Sequence, residues 1–410
     1  MFAASVGEVD RDELLTLLTP ESMRLLGELG PLDAKADILR LVARLRGEGH
    51  PPERVAAVVA QAALRRKASA KLGPFAERML FTEAGLQQAT RLRVAAHHAE
   101  RFRAAGVTRI ADLGCGIGAD AMAFASLGFD VRAVDADEAT AAIAAHNLAI
   151  FPNARVEHAR AEEVALEDGE AAWLDPARRA EGRGGQARRS WDPADWMPSL
   201  DFAFGLGDAR PLGVKLGPGV PHEALPADGE AQWVSEQGEV VEATVWRGAT
   251  AREGVGRSAL VLGRGRADEL AAPGPAADAE LGELGEYLHE PDGAVIRAEL
   301  IGLLAERLGA RMLAPEIAWM TSDAPADSPF AASFRVREVL PLDAAKLKRA
   351  MRERGIGTLE IKKRGVDVDP AELRKRLALR GDGSATLVLT RIGDRRRAIL
   401  ADRVADEAAS

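Results

Sequence analysis

The sequence predicts an α/β protein built on a doubly wound parallel sheet, with a helical segment before the sheet and an α+β region after it. Three observations lead to this fold class. Apolar residues recur at helical spacing in the N-terminal part, short apolar runs then alternate with helical patterns, and helices and strands mix near the C-terminus. We predict a helical domain over 1–104, the α/β domain over 105–265, a linker over 266–283, and an α+β domain over 284–410.

The N-terminal segment carries the start signal and the periodicity of several helices. Thr19, Pro20 and Glu21 combine an N-cap, a proline at the first helical position and an acid in the first turn. Helical spacing continues through ADILRLVARLR, PERVAAVVAQAALRRKASAKL and GLQQATRLRVAAHHAERFRAAG. His97 and His98 in the last stretch have no partner at metal-ligand spacing, so we expect them to be structural.

Strands and helices alternate from Thr108 onward. TRIADL, FDVRAV, ARVEH and AAWL have the pattern of strands, and DAMAFASLG and EATAAIAAHNLAIF that of helices. GVKL, AQWVSEQGEVVEATVWR and SALVLG are later strands, the middle one a hairpin that turns at Gln237-Gly238. In the C-terminal part, AVIRAELIGLLAERLG, DAAKLKRAMRERG and DPAELRKRLAL indicate helices, and SFRVREVL, TLEIKKRG, ATLVLTRI and RRAIL indicate strands.

The composition excludes several classes of protein. The chain of 410 residues has one cysteine, Cys115, which rules out an internal disulfide framework and a cysteine-based metal cluster. The N-terminus lacks the pattern of a signal peptide, and no apolar run reaches the roughly 18 residues of a spanning helix. We expect a soluble, cytoplasmic protein with no metal site and no membrane association.

The stretch ADLGCGIGAD predicts a nucleotide-type loop. Gly114, Gly116 and Gly118 follow a strand and precede a helix, so the backbone can turn sharply and a ligand can approach closely. Asp135 ends the next strand, where a carboxylate can accept hydrogen bonds from a ribose diol. The spacing also satisfies a relaxed dinucleotide fingerprint. Cys115 is interpreted as a small residue that fits the loop, the alternative being a catalytic thiol.

Asp112 favours one ligand over the other. A carboxylate two residues before the first glycine would repel a pyrophosphate, whereas S-adenosylmethionine carries a cationic sulfonium and amine that suit it. The loop therefore resembles motif I of class I methyltransferases. A nicotinamide or flavin site and an empty, degenerate site are the alternatives.

The stretch WLDPARR predicts the acceptor side of the same crevice. Asp175 lies at the end of the expected fourth strand, and ligands of doubly wound sheets bind at the carboxyl ends of the strands. DPAR resembles the DPP-aromatic motif of amino-group methyltransferases, in which the carboxylate and the carbonyl after the proline align an NH2 group. Here Ala177 and Arg178 replace the second proline and the ring. Arg178 and Arg179 could hold a phosphate or carboxylate, or be solvated while Asp175 caps the next segment.

Four segments together resemble the bacterial class I methyltransferases with a C-terminal THUMP-like domain: ADLGCGIGADAMAFA, WLDPARR, YLHEPDGAVIRA and TLEIKKRGVDVDPAELRKRLAL. The core is more distantly similar to trimethylguanosine synthase. The resemblance implies a seven-stranded class I methyltransferase core with one antiparallel strand, and it places residues 73–90 over the cofactor, with Phe81 and Thr82 as candidate contacts. Phe81 as helix core is the alternative. The remaining cofactor candidates are Ala136, Ala161 and Glu162, the last an acid near Arg160, where the family often has Asp.

The C-terminal region is basic although the chain carries a net charge of −9. Residues 334–400 contain 18 Lys or Arg against nine Asp or Glu, which suggests a polyanionic partner or a solvated charged face. THUMP domains accompany RNA-modifying enzymes, so the resemblance implies RNA, with two basic triplets, 362–364 and 374–376, as phosphate contacts. Trp191 and Trp196 could stack on a flipped base, although packing of the loop is the favoured interpretation.

These observations predict a methyltransferase that uses S-adenosylmethionine and acts on RNA, at a base nitrogen. Asp112, the three loop glycines and Asp135 bind the cofactor; Asp175 and Pro176 orient the acceptor, and Arg178 and Arg179 hold an anionic part of the substrate. A methyltransferase for a small-molecule or protein amine, and a non-catalytic RNA-binding protein, are the alternatives.

Overall fold

A computed structural model describes residues 11–29, 35–178 and 196–404. The chain divides into two compact units. The first comprises Met1–Leu216, Val220–Gly229 and Val245–Arg252, and the second Gly217–Gly219, Glu230–Thr244 and Glu253–Ser410. These units do not follow the predicted domain limits, because most of 230–265 groups with the C-terminal part of the chain and the N-terminal helices group with the first sheet.

The first unit begins with the expected helices. They are α1 (Arg11–Leu17), α2 (Pro20–Glu28), α3 (Lys35–Gly47), α4 (Pro52–Leu72), α5 (Glu83–Gln88) and α6 (Leu92–Ala104). The start signal at Thr19 is confirmed, since its hydroxyl accepts the Ser22 amide at 3.3 Å. Gly73, at a φ of 55°, ends α4.

Five parallel strands form the sheet of this unit. Along the chain come β1 (Arg109–Leu113), α7 (Ala119–Ser126), β2 (Asp130–Asp135), α8 (Glu138–Leu148), β3 (Ala154–His158), β4 (Ala171–Leu174) and β7 (Leu212–Leu216). Their order in the sheet is β7-β4-β1-β2-β3, and strands that are adjacent in this order are hydrogen-bonded to each other. The pairs β1–β2, β1–β4, β2–β3 and β4–β7 are parallel, as the alternating pattern predicts.

Aromatic side chains pack the helices onto this sheet. The Trp173 ring on β4 meets Phe102 of α6 and Phe124 of α7 edge-on at centroid distances of 6.2 and 6.0 Å. Gly213 on β7 makes room for this ring, because a Cβ there would lie 2.6 Å from a Trp173 carbon. The ends of β1 and β4 are thereby fixed at the edge of the sheet where the glycine loop begins.

Two short strands follow β4 in the first unit. β5 (Ala177–Arg178) and β6 (Trp196–Met197) pair antiparallel, with Ala177 opposite Met197. Helix α9 (Leu200–Gly205) comes next and leads to β7.

The second unit contains the expected hairpin. β8 (Glu230–Glu236) and β9 (Glu239–Arg247) are joined at Gln237 and Gly238, whose φ values of 53° and 82° are those of a tight hairpin turn. The last three residues of β9 belong to the first unit. β10 (Arg257–Leu262) pairs parallel with β8 and antiparallel with β11 (Ala267–Ala272).

Strand β11 lies inside the segment 266–283, which the sequence predicts as a linker. It stands at the end of the strand order β11-β10-β8-β9, so one of its sides pairs with no further strand of that sheet. An edge strand of this kind keeps polar and small residues, and its composition therefore resembles that of a linker.

The rest of the second unit is a separate seven-stranded sheet with helices. Its elements are β12 (Tyr287–Pro291), α10 (Gly293–Arg297), α11 (Ile301–Leu308), β13 (Arg311–Met312), β14 (Met320–Ser322), β15 (Ala331–Pro341), α12 (Ala344–Glu353), β16 (Ile356–Lys363), α13 (Pro370–Leu377), β17 (Gly383–Ile392) and β18 (Arg395–Arg403). The order is β13-β14-β12-β15-β18-β17-β16. The predicted single helix over 294–309 is split in two, because Glu299 adopts a φ of 59°.

Two hydrophobic clusters cover this second sheet. One joins Leu347 and Met351 of α12 and Leu373 of α13 to Leu387 of β17, and the other holds Trp319 and further residues. Helices α12 and α13 therefore bury their apolar sides and leave their charged sides exposed. In the described part of the chain, no helix is both long and apolar enough to cross a membrane.

Candidate functional site

The glycine loop after β1 has the conformation that its sequence predicts. Gly114, Gly116 and Gly118 have φ values of 97°, 55° and 86°, a region that side chains disfavour. The Gly116 amide donates to Asp135 Oδ2 at 2.9 Å, which ties the loop to the end of β2. A Cβ on Gly116 would meet no atom within 4 Å, so the glycine is required by its backbone angle and faces open space.

Asp135 is held by the backbone on both oxygens. Its Oδ1 accepts the Asp137 amide at 3.0 Å, while Oδ2 accepts that of Gly116. Burial raises the pKa of this carboxyl, although the two backbone hydrogen bonds oppose the rise. Ala136, the next residue, is exposed, and its carbonyl oxygen lies 3.1 Å from His158 Nε2.

Asp112 is a buried carboxylate. It lies near the end of β1 with 1% of its surface exposed. Among the described residues, neither of its carboxylate oxygens has a hydrogen-bond partner. Burial, followed by the charges of Asp120 and Asp175, raises the pKa of Asp112 well above its ordinary value. A charged group left in this state is costly unless a cation joins it.

Next to Asp112 lies a polar network that sequence reasoning missed. Lys215 on β7 is 8% exposed, and its Nζ lies 2.5 Å from Asp175 Oδ2 and 2.9 Å from the Thr90 hydroxyl. The Thr90 hydroxyl donates to Asp120 Oδ2 at 2.6 Å, and His98 Nδ1 lies 2.9 Å from Asp120 Oδ1. The signal available in the sequence was a lysine inside the apolar strand LGVKL.

The charge on Asp120 follows from these contacts. Burial alone would raise the pKa of Asp120, but the hydrogen bond and charge of His98, the charge of Lys215 and the Thr90 hydroxyl outweigh it and lower that pKa. An ionised carboxylate only accepts hydrogen bonds, so Nδ1 of His98 carries the proton. The His98 ring also packs against Trp173, tilted by 36° at a centroid distance of 4.3 Å, which agrees with the structural role expected for it.

Asp175 and Pro176 lie beside the glycine loop. Asp175 follows β4 and is half-buried, and Pro176 is buried. A Cβ on Gly114 would lie 3.5 Å from the Asp175 carbonyl oxygen, so the two predicted halves of the site meet. Trp196 is 3% exposed, which agrees with the packing role favoured for it. The side chain of Arg178, together with Arg179 and Trp191, lies outside the described residues.

The segment over 73–90 is anchored to the glycine loop. The Asn147 side chain on α8 accepts the Leu80 amide at 2.7 Å and donates to the carbonyls of Leu80 and Ile117, the last at 2.8 Å. Thr82 caps α5 by accepting the Gly85 amide. The Phe81 side chain is 1% exposed and belongs to the hydrophobic core, which is the alternative that the sequence left open.

The remaining candidates lie after β3. Ala161 and Glu162 belong to a short 3-10 turn, in which Ala161 is buried and Glu162 exposed. At Arg160, where the family often has an acid, the guanidinium Nη2 lies 3.7 Å from Glu162 Oε1. Cys115 is buried, and burial and the charges of Asp112 and Asp135 raise the pKa of its thiol well above the ordinary value. The protonated form is thereby favoured, in agreement with a packing role.

Known proteins resemble this chain along most of its length. Two S-adenosylmethionine-dependent methyltransferases of Mycobacterium tuberculosis, from strains CDC 1551 and H37Rv, are each 34% identical over 339 residues, which are 80% of this chain and 91% of the relative. A solved structure from Porphyromonas gingivalis W83, itself assigned to the methyltransferases, superposes with a TM-score of 0.69 at 22% identity and covers 97% of this chain and 99% of its own. That likeness bears on the fold.

Two family models match parts of the chain. Residues 331–403, from β15 to β18, match a THUMP domain-like family. Residues 10–68, which include α1 to α3, match a domain of unknown function.

Proposed function

The chain belongs to the S-adenosylmethionine-dependent methyltransferases, and we propose that it transfers the methyl group to a base nitrogen of RNA. The observation that carries the proposal is the position of Asp175. Its backbone carbonyl oxygen lies beside Gly114 of the glycine loop, its carboxylate pairs with Lys215, and a buried proline follows it. This is where a parallel sheet of this kind brings two ligands together.

The residues of the loop fit the methyl donor. The amine and sulfonium of S-adenosylmethionine are cationic. They suit the buried carboxylate of Asp112, for which the described ranges supply no hydrogen-bond donor. Asp135 would hold the ribose diol, and Gly116 leaves open space for the ligand beside the backbone. When bound, S-adenosylmethionine supplies an electrophilic methyl group whose carbon–sulfur bond breaks as a carbon–nitrogen bond forms, the electron pair remaining on sulfur.

Asp175 and the carbonyl oxygen of Pro176 would align the acceptor. Each can accept a hydrogen bond from an NH2 group, which directs the nitrogen lone pair at the methyl group. After transfer the methylated nitrogen is cationic and releases a proton to water, so no general base is required at this site.

The second unit supports RNA as the substrate. The outer sides of α12 and α13 carry exposed cations, among them Lys348, Arg352 and Arg376. Lys348, Arg352 and Arg380 line a cavity of about 190 Å³. Met351 and Leu377 form its apolar side. In the described chain, Lys348, Arg352 and Arg380 form no ion pair. Cations on a THUMP-like region, in which the family model covers 331–403, suit a phosphate backbone.

Transfer of tritium from labelled S-adenosylmethionine tests the proposal. The acceptor is RNA from cells that lack the gene, and mass spectrometry of its nucleosides identifies the product. We expect Asp175→Ala to reduce transfer by at least about 100-fold while the donor affinity, measured by calorimetry, changes by less than about threefold. Full activity of this variant would refute the role of Asp175.

The other functions give different results in the same experiment. Transfer to protein or small amines but not to RNA would show a different acceptor. Binding of RNA at low salt without any binding of S-adenosylmethionine would show a non-catalytic RNA-binding protein.

A further inference from the structure

Lys215 stands where it can set both the position and the charge environment of the acceptor. It lies on β7, next to β4, and the register pairs Leu174 with Val214. Asp175 and Lys215, the residues that follow this pair, are therefore neighbours, and the Lys215 ammonium lies 2.5 Å from Asp175 Oδ2. The contact is a consequence of the parallel register.

A chain of buried hydrogen bonds within the first unit also holds Lys215. Its Nζ donates to the Thr90 hydroxyl at 2.9 Å, and Thr90 is fixed by Asp120, which His98 holds from α6. Within the described ranges, the titratable groups near Lys215 include Asp175 after β4, Asp112 on β1 and Asp120 on α7, the last paired with His98. Because the ammonium contacts both Asp175 and Thr90, its position is restricted.

We propose that Lys215 is a positioning and specificity residue, which fixes the Asp175 carboxylate and selects a neutral, weakly basic NH2 group over an alkylammonium. The proposal rests on the role given to Asp175 above. An isolated carboxylate would attract a protonated alkylamine, whose nitrogen has no lone pair to react. The ammonium of Lys215 neutralises this attraction and repels a second cation, while a neutral NH2 group still donates its hydrogen bond.

The selected chemistry is that of an exocyclic amine on an aromatic ring. Such an amine is uncharged at neutral pH, carries two donors, and is found on nucleic-acid bases. A lysine side chain or a polyamine is charged at the same pH and would be excluded. The same residue thus separates the proposed RNA substrate from the protein and small-molecule amines.

The test compares Lys215→Met, which removes the charge at similar length, with Lys215→Arg, which retains it. The control is Lys67→Met, which removes an exposed ion pair with Glu83 elsewhere in the unit. Tritium transfer is measured from pH 6 to 9 to RNA from cells lacking the gene and to poly-L-lysine. For Lys215→Met we expect kcat on RNA to fall by about 100-fold with KM changed less than about threefold, and the ratio of poly-L-lysine to RNA transfer to rise at least tenfold.

The pH profile separates positioning from a merely structural role. Without the ammonium, the Asp175 carboxylate takes up a proton more readily, so the acid limb of kcat moves to higher pH in Lys215→Met. Lys215→Arg should restore the profile and part of the rate. Wild-type kcat and an unchanged profile in Lys215→Met would overturn the proposal, as would wild-type transfer to poly-L-lysine that matches transfer to RNA.

A second measurement decides the case in which wild-type protein methylates neither acceptor. That result would refute the proposed function but would leave the contact itself to be judged. Thermal unfolding midpoints of Lys215→Met, Asp175→Asn and the double variant form a cycle. We expect Lys215→Met to lower the midpoint by several degrees in the wild-type background and much less in the Asp175→Asn background. Equal shifts in both backgrounds would show that the lysine does not hold Asp175, and would overturn the inference.

Discussion

At the scale of single residues, Asp112 shows how a residue proposed to bind the donor can lower the stability of the fold. Its carboxylate is buried, and neither of its oxygens has a hydrogen-bond partner in the described part of the chain. Because burial and the charges of Asp120 and Asp175 raise the pKa of Asp112, the folded chain holds a proton that the unfolded chain has released only at pH values between the unfolded and the folded pKa. Because the pKa is raised on folding, the native state loses stability as the pH rises from the ordinary value of 3.8 through the folded value.

Asp112→Asn should reverse this effect while weakening the donor site. We expect the ligand-free variant to unfold at a higher temperature than wild type, with a difference that grows as the pH rises from 3.8 through the raised pKa of Asp112. Its affinity for S-adenosylmethionine should fall by about 10- to 100-fold, as expected for the loss of a hydrogen bond to a charged group. Unfolding at several pH values and calorimetry measure the two effects. A variant that is less stable at pH 8 and binds the donor normally would contradict this account.

At the scale of elements, Asn147 joins three segments that are distant in sequence. One amide side chain on α8 binds the backbone of Leu80 before α5 and that of Ile117 in the glycine loop. The packing of Gly85 against Ile117, where a Cβ would lie 2.5 Å from a methyl carbon, brings α5 to the same loop. The loop is therefore held from two sides by elements outside the sheet.

Asn147→Ala should loosen this arrangement. Leaving buried backbone groups unpaired costs about 1–3 kcal/mol of unfolding free energy. Donor affinity should fall as well, since Ile117 lies within the loop. Asn153→Ala is a matched control, because the Asn153 side chain donates to the carbonyls of Ala125 and Phe129, which lie outside the segments that Asn147 joins. It should lose similar stability in urea unfolding but keep its affinity in calorimetry. Equal losses of affinity in both variants would refute the specific role of Asn147.

The same elements show what the sequence could predict and what it could not. Short apolar runs located β1, β2 and β4 because most of their residues are buried, and the Gln237-Gly238 turn followed from local backbone preference. The contact of Lys215 with Asp175 was not predictable, because it depends on which strand becomes the neighbour of β4. The edge strand β11 was missed because its composition differs little from that of a loop.

At the scale of the whole molecule, charge is unevenly distributed along the chain. The net charge is −9, yet residues 334–400 hold 18 basic and nine acidic side chains. Ion pairs neutralise part of this excess, for instance Lys362 with Glu290 at 2.7 Å. The remaining cations on α12 and α13 determine how the second unit would meet a polyanion.

RNA affinity should therefore depend steeply on salt. The triple variant Lys348→Gln, Arg352→Gln and Arg380→Gln should weaken binding and reduce the slope of log K against log salt by about 2, as expected for about three lost phosphate contacts. A triple variant at Arg24, Arg40 and Lys67, which are exposed ion-paired residues of the first unit, removes the same charge elsewhere. Gel-shift titrations between about 50 and 300 mM salt measure both slopes, because electrostatic screening strengthens over this range. Identical slopes for the two variants would contradict a local contact.

The buried thiol of the glycine loop has a practical consequence. Cys115 is the single cysteine of the chain, and alkylating reagents attack only its deprotonated, accessible form. Modification therefore requires the loop to open, and a bound donor at 100 times its dissociation constant should slow it about 100-fold. The rate of maleimide coupling, followed by intact-protein mass spectrometry, would thus report occupancy of the loop in the unaltered sequence. Equal coupling rates with and without the donor would place the ligand elsewhere.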